Sequence, residues 1–160
     1  LGMAQRGGSV VSHVRIARKV WSPLLKEGEV DILLAFEKLE VARWGYYLQP
    51  EGIAIVNNQA IPPLSVNLGT QRYPSDEEIE DILKRRTERI YFVDGTSKAR
   101  ELGDIRVLNM FMLGCASHFL PIDVHTWKGR MSQRIPSNIL QINIAAFNQG
   151  RKETSSVNLK

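Results

Sequence analysis

Three short runs in this chain are apolar at every position, and they restrict its architecture more than any other feature: Ile32 to Phe36, Ile53 to Val56 and Ile90 to Val93. A strand with one face in water alternates apolar and polar residues, whereas a strand covered on both faces by helices reads as continuous hydrophobicity. Helix-forming stretches separate the runs. Glu37 to Leu48 carries Leu39, Ala42 and Tyr46 near one face before Pro50 and Gly52 break it. Ser75 followed by Glu78 has the form of a capping box, with Asp76 and Glu77 in the first turn and Lys84, Arg85 and Arg86 near the end. Strands alternating with helices predict an α/β fold, a mainly parallel sheet flanked by helices.

The flanking segments complete that reading. Val10, Ser12, Val14 and Ile16 alternate with Val11, His13 and Arg15, as in a two-faced strand, and Lys19 to Trp21 pairs back across Ala17-Arg18 to give a mixed or hairpin strand near the N-terminus. Ile61-Pro62-Pro63 leads in extended form to a further strand at Ser65 to Leu68. A short helix from Ser97 to Leu102 stops at Gly103. The C-terminal part is helical: an apolar helix from Arg106 to Leu120, a second over Val124 to Arg134, and a third capped by Ser137 and closed by Gly150. Residues 1–150 are expected to form a single domain and 151–160 a polar tail.

Composition narrows the chemistry. With one cysteine, Cys115, the chain lacks the thiolates for an iron–sulfur cluster of its own, and inside an apolar helix that thiol should be inert. His13, His118 and His125 lack metal-ligand spacing, so no metal is expected, and His118 reads as a hydrogen-bonded core residue. No catalytic residue and no nucleophile motif stands out. The net charge of +4 is modest, and helix-end electrostatics account for the basic cluster at Lys84 to Arg86, so no nucleic-acid partner is implied. No apolar run approaches the roughly 18 residues of a membrane helix and no signal peptide is visible, which points to the cytoplasm; the chain opens at Leu1 without an initiator Met.

Ligands of open parallel sheets bind beyond the carboxyl ends of the strands. There the sequence delivers Glu37, then Asn57 and Asn58, then Asp94 and Thr96. These residues suit a polar site and equally suit helix caps and turns. Gln5-Arg6-Gly7-Gly8-Ser9 is open to two readings as well: a cradle in which backbone amides and an arginine fork hold an anion, or a sharp turn feeding the Val10 segment.

Residues Gly2 to Ile16, GMAQRGGSVVSHVRI, closely resemble the signature of the gamma-type component of 2-oxoacid:ferredoxin oxidoreductases, in the form found in the beta subunit of indolepyruvate oxidoreductase. Ile32 to Glu40 is similar to that family's strand and acidic turn. Glu101-Leu102-Gly103 with Arg106, Asn109, Leu113-Gly114 and Leu120-Pro121 is similar to its buried-helix motif, and Ala146 to Gly150 also fits. The family normally carries a strand, a Gly-rich turn and a helix upstream of the signature, a segment not found in this sequence.

The resemblance implies a subunit that supports oxidative decarboxylation of a 2-oxoacid to an acyl-coenzyme A with reduction of ferredoxin, the arylpyruvate type being favoured. It implies no cofactor on this chain: thiamine diphosphate, magnesium and iron–sulfur clusters belong to an alpha-type partner, and coenzyme A is a substrate. Gln5, Arg6, Gly7, Gly8, Ser9, Glu37, Asn57 and Asn109 are the residues expected to meet coenzyme A or the partner, and self-association is expected when the partner is missing. The rival is a standalone nucleotide- or coenzyme A-binding regulatory module of the same fold.

Overall fold

The computed structural model describes residues 9–155. It is an α/β structure with a three-stranded parallel sheet in the order β1-β2-β3 and seven flanking α-helices among the described residues. The strands are β1 (Val30–Ala35), β2 (Leu48–Asn57) and β3 (Arg89–Val93). The helices are α1 (Lys38–Trp44), α2 (Leu64–Asn67), α3 (Asp76–Lys84), α4 (Gly95–Glu101), α5 (Leu108–Ser117), α6 (Val124–Arg134) and α7 (Ser137–Ser155). All three apolar runs lie in or across the strands. β2, with Ile53 to Val56 buried, is the central one. β1 is not sandwiched as expected: it lies at an edge of the described sheet, Asp31 is exposed, only Ala35 is buried, and Phe36 falls beyond its end.

The chain divides into two compact units, one up to Ala54 with Ala60–Ile90, the other Ile55–Gln59 with Tyr91 onward. In the first, Val41 of α1, Leu48, Ile53 and Ala54 of β2, and Ile79 and Leu83 of α3 are buried together with Ala35. α3 begins with the capping box read from the sequence: Glu78 N donates to Ser75 Oγ (3.3 Å), and Ser75 N donates to the Glu78 carboxylate (2.7 Å). Gly52 sits where β2 crosses β1 closely. A Cβ there would lie 2.9 Å from the Val30 carbonyl oxygen.

In the second unit, α5 and α7 cross with Phe111, Met112, Cys115, Ala146 and Phe147 between them. Gly114 of α5 faces the backbone of Phe147, and Gly150 of α7 faces the backbone of Phe111. α4 ends at Gly103, whose φ of 100° is the left-handed conformation a helix stop requires.

Four expectations are corrected. Val10 to Trp21 forms no strand or hairpin among the described residues; no main-chain hydrogen bond supports it, and a strand is defined by its ladder. Ser65 to Leu68 is a turn of helix, α2, because the Pro63 carbonyl, set by an extended Pro63, accepts from Val66 N (3.0 Å) and Asn67 N (3.1 Å). Gly150 does not close the last helix, which runs through it to Ser155; the glycine serves helix crossing rather than termination. The helix expected from Arg106 to Leu120 is shorter, a 3-10 turn at Ile105–Val107 followed by α5, so His118 falls at the helix end, exposed and edge-on to Phe119, rather than in the core.

Candidate functional site

Glu37 leaves β1 and caps α1. Its carboxylate is buried and accepts three hydrogen bonds: from Glu40 N (3.2 Å) on one oxygen, and from Ile61 N (3.0 Å) and the Tyr73 hydroxyl on the other. The Tyr73 hydroxyl also accepts from Leu39 N (3.2 Å). Burial, then the bond to the Glu37 carboxylate and its charge, push the Tyr73 phenol well above its ordinary range, so it stays a donor. Beside it Lys38 Nζ pairs with Asp76 at 2.7 Å. One carboxylate thus holds both ends of the Ile61 to Tyr73 connection, and Glu37 is a positioning residue whose two oxygens are engaged.

In the second unit Asn57, at the end of β2, is fully buried. Its Nδ2 donates to Thr96 Oγ1 (2.9 Å) and its Oδ1 accepts from Thr96 N (3.1 Å). Gly95 permits the approach, since a Cβ there would stand 3.0 Å from that Oδ1 and 2.8 Å from Leu108. Asn58 N donates to the Val93 carbonyl at 2.8 Å. The strand-end reading therefore brings Asn57 and Thr96 together, as a side-chain clamp between β2 and α4. Asn109 is exposed on α5.

Gln5, Arg6, Gly7 and Gly8 lie outside the described residues. Ser9, the last of that run, is anchored to α1: its hydroxyl donates to the Glu40 carboxylate and accepts from Trp44 Nε1 (3.1 Å). Trp44 and Tyr47 lie with ring centroids 5.9 Å apart, Tyr46 and Tyr47 4.7 Å, and His13 stands edge-on to Tyr47 at 5.5 Å. The exit of the glycine loop is fixed against an aromatic platform.

Among the described residues no three His, Cys, Asp or Glu side chains converge in a way that would hold a metal ion. Cys115 is buried; burial, then the charge of Glu153, push its thiol up to about 12, which leaves it unionised at neutral pH. No helix of the described residues is long and apolar enough to cross a membrane. Tyr73 is the participant that sequence reading missed: a lone aromatic in a polar connection, 36 positions from its carboxylate, gives no periodic signal.

Fold and site together define an α/β domain whose polar strand ends are spent on holding loops and helices in place. Residues 1–153 match the family model described as pyruvate ferredoxin/flavodoxin oxidoreductase, and the chain belongs to that family. It is 32% identical to the indolepyruvate oxidoreductase subunit IorB of Archaeoglobus fulgidus, over 97% of this chain and 78% of the relative. It is 34% identical to the IorB subunit of Methanothermobacter thermautotrophicus, over 93% and 76%.

Among solved structures it resembles the keto/oxoacid ferredoxin oxidoreductase gamma subunit of Geobacter sulfurreducens, with a TM-score of 0.58 and 18% identity over 79% of this chain and 65% of that one. It also resembles the 2-oxoglutarate:ferredoxin oxidoreductase of Magnetococcus marinus, solved with 2-oxoglutarate, coenzyme A and succinyl-CoA bound (TM-score 0.57, 18% identity). That likeness covers 80% of this chain and 20% of the other. These two likenesses establish the fold.

Proposed function

We propose that this chain is the gamma-type subunit of a 2-oxoacid:ferredoxin oxidoreductase acting on indolepyruvate or a related arylpyruvate, with Leu1 to Gly150 working as one domain in the cytoplasm. The observation that carries the reading is the run of IorB-named relatives at 31–34% identity over 93–97% of this chain. In the assembled enzyme a 2-oxoacid and coenzyme A yield an acyl-coenzyme A and carbon dioxide, and two electrons pass through iron–sulfur clusters to ferredoxin. Thiamine diphosphate with magnesium, and the clusters, sit on the alpha-type partner.

The contribution of this chain is geometric. Gln5, Arg6, Gly7 and Gly8 offer backbone amides and a guanidinium fork to the phosphates of coenzyme A or to the partner's edge, and Ser9 pins the loop's exit to α1. Glu37 and Asn57 act at one remove, by fixing the Ile61 to Tyr73 connection and the β2–α4 junction. Asn109, exposed on α5, is available to a partner.

Co-expression with the thiamine-bearing chain encoded beside it tests the proposal. The expected result is a co-purifying complex that reduces ferredoxin when given indolepyruvate and coenzyme A. A chain that stays alone and binds coenzyme A or a nucleotide tightly would favour the regulatory-module reading instead.

A further inference from the structure

The segment Val10 to Ile16 keeps the alternation of a strand without a strand's partner. One face is tied down within its own unit: His13 Nδ1 accepts from Leu25 N (3.1 Å) and its ring meets Tyr47, while Arg15 Nη2 donates to the Leu24 carbonyl (3.1 Å) and pairs with Glu29 (3.2 Å). The other face is bare. Val10, Val14 and Ile16 are 62%, 75% and 60% exposed, and no main-chain hydrogen bond among the described residues uses the amides or carbonyls of Val10 to Ile16. Val11, Val20, Trp21 and Leu24 are exposed as well, giving seven large apolar side chains within fifteen residues. Such density marks a contact surface rather than a solvated loop.

Just beyond lies a groove of about 610 Å³ that mixes apolar walls (Trp21, Leu24, Leu25) with the cations Arg15, Lys19 and Lys26. Lys19 Nζ sits 3.7 Å above the Trp21 ring. Between Val10 and Glu29 the sequence has four cations, Arg15, Arg18, Lys19 and Lys26, against two carboxylates, Glu27 and Glu29. Two copies of this surface would bring like charges together, whereas an acidic, apolar segment complements it.

We propose that Val10 to Ile16 is a docking strand: an extended segment of the thiamine-bearing partner chain pairs with its free backbone, lays apolar side chains on Val10, Val14 and Ile16, and directs carboxylates to Lys19 and Lys26. This is recognition by strand addition, in which main-chain bonds supply affinity and alternate side chains supply specificity. It rests on the subunit reading above and names the surface through which that subunit is held.

Amide hydrogen exchange of the full chain, alone and co-purified with the thiamine-bearing chain, tests the proposal. The Val10 to Ile16 amides should exchange freely in the lone chain and slow by about one order of magnitude or more in the complex. Val14→Asp, and the pair Lys19→Glu with Lys26→Glu, should each weaken assembly about ten- to a hundredfold while leaving the melting temperature of the lone chain unchanged, since these side chains face solvent.

Protection already present in the lone chain at every concentration would mean that the chain's own residues cover the face, and would overturn the proposal. Protection that grows with the lone chain's concentration would assign the face to a second copy, and would overturn it equally. An active complex that Val14→Asp joins with wild-type affinity overturns the docking strand alone. Failure of the wild-type chain to form any complex overturns the subunit reading and this inference with it.

Discussion

Gly150→Ala sets two effects of known sign against each other on α7. Alanine has the better helix propensity, a gain of about 1 kcal/mol. At this position, however, a Cβ would strike the Phe111 carbonyl oxygen, with Phe111 C at 2.9 Å and Cys115 N at 3.0 Å. Those atoms are helix backbone and have no rotamer by which to move aside. The methyl therefore forces α7 away from α5, opening the contacts of Phe111, Phe147 and Cys115, all fully buried. Overpacking of this kind costs about 3 kcal/mol, the upper end of the usual range, and leaves a net loss of about 2 kcal/mol. In a chain of this size that corresponds to a fall in melting temperature of roughly 4–8 °C.

Gly129→Ala supplies the control. Gly129 lies inside α6, and a methyl group added there would meet nothing within 4 Å, so the propensity gain should appear alone, as stabilisation of up to about 1 kcal/mol. Gly114→Ala, which meets the Phe147 carbonyl, should resemble Gly150→Ala, and the double variant should lose less than the two together because one separation of the helices relieves both. Thermal and urea unfolding of the four chains is the assay. A Gly150→Ala chain that melts at or above wild type, or that responds as Gly129→Ala does, would refute the reasoning.

Glu37→Gln replaces a carboxylate facing three donors with an amide offering one oxygen, and should destabilise the chain by about 1–3 kcal/mol, read by urea unfolding, with faster proteolysis between Ile61 and Tyr73. Asn57→Ala strands the buried Thr96 amide, and a loss of about 2 kcal/mol is expected by the same measurement. Burial holds the Cys115 thiol neutral up to about 12 against 9.0 for a free thiol, so the unfolded chain releases that proton first as pH rises. Stability should accordingly fall as pH passes 9, a slope that Cys115→Ala should reduce in pH-dependent melts, and the native thiol should resist thiol reagents at neutral pH. Arg6→Ala should lower coenzyme A affinity or complex assembly about ten- to a hundredfold without changing the melting temperature, with Arg6→Lys recovering part of the loss.

The fold was legible where local chemistry decides it. Continuous apolar runs located all three strands, the Ser75–Glu78 box located the start of α3, and Gly103 located the end of α4. Reading failed where the outcome depends on what lies opposite. Val10 to Ile16 has a strand's pattern and no ladder, Gly150 has a stop residue's identity and a crossing residue's job, and His118 misses the core because α5 ends one residue before it. Strand-end residues were found by position, but their roles were not: only the folded chain shows that Glu37 spends its oxygens on Ile61 and Tyr73, and Asn57 its amide on Thr96.

Ferredoxin reduction by the complex reconstituted with the thiamine-bearing chain tests the central claim most directly. With indolepyruvate and coenzyme A present, acyl-coenzyme A and reduced ferredoxin should form in the proportion of one to two, and omission of this chain should abolish the coenzyme A-dependent turnover. The same turnover without this chain, or its failure to co-purify with that partner, would contradict the account.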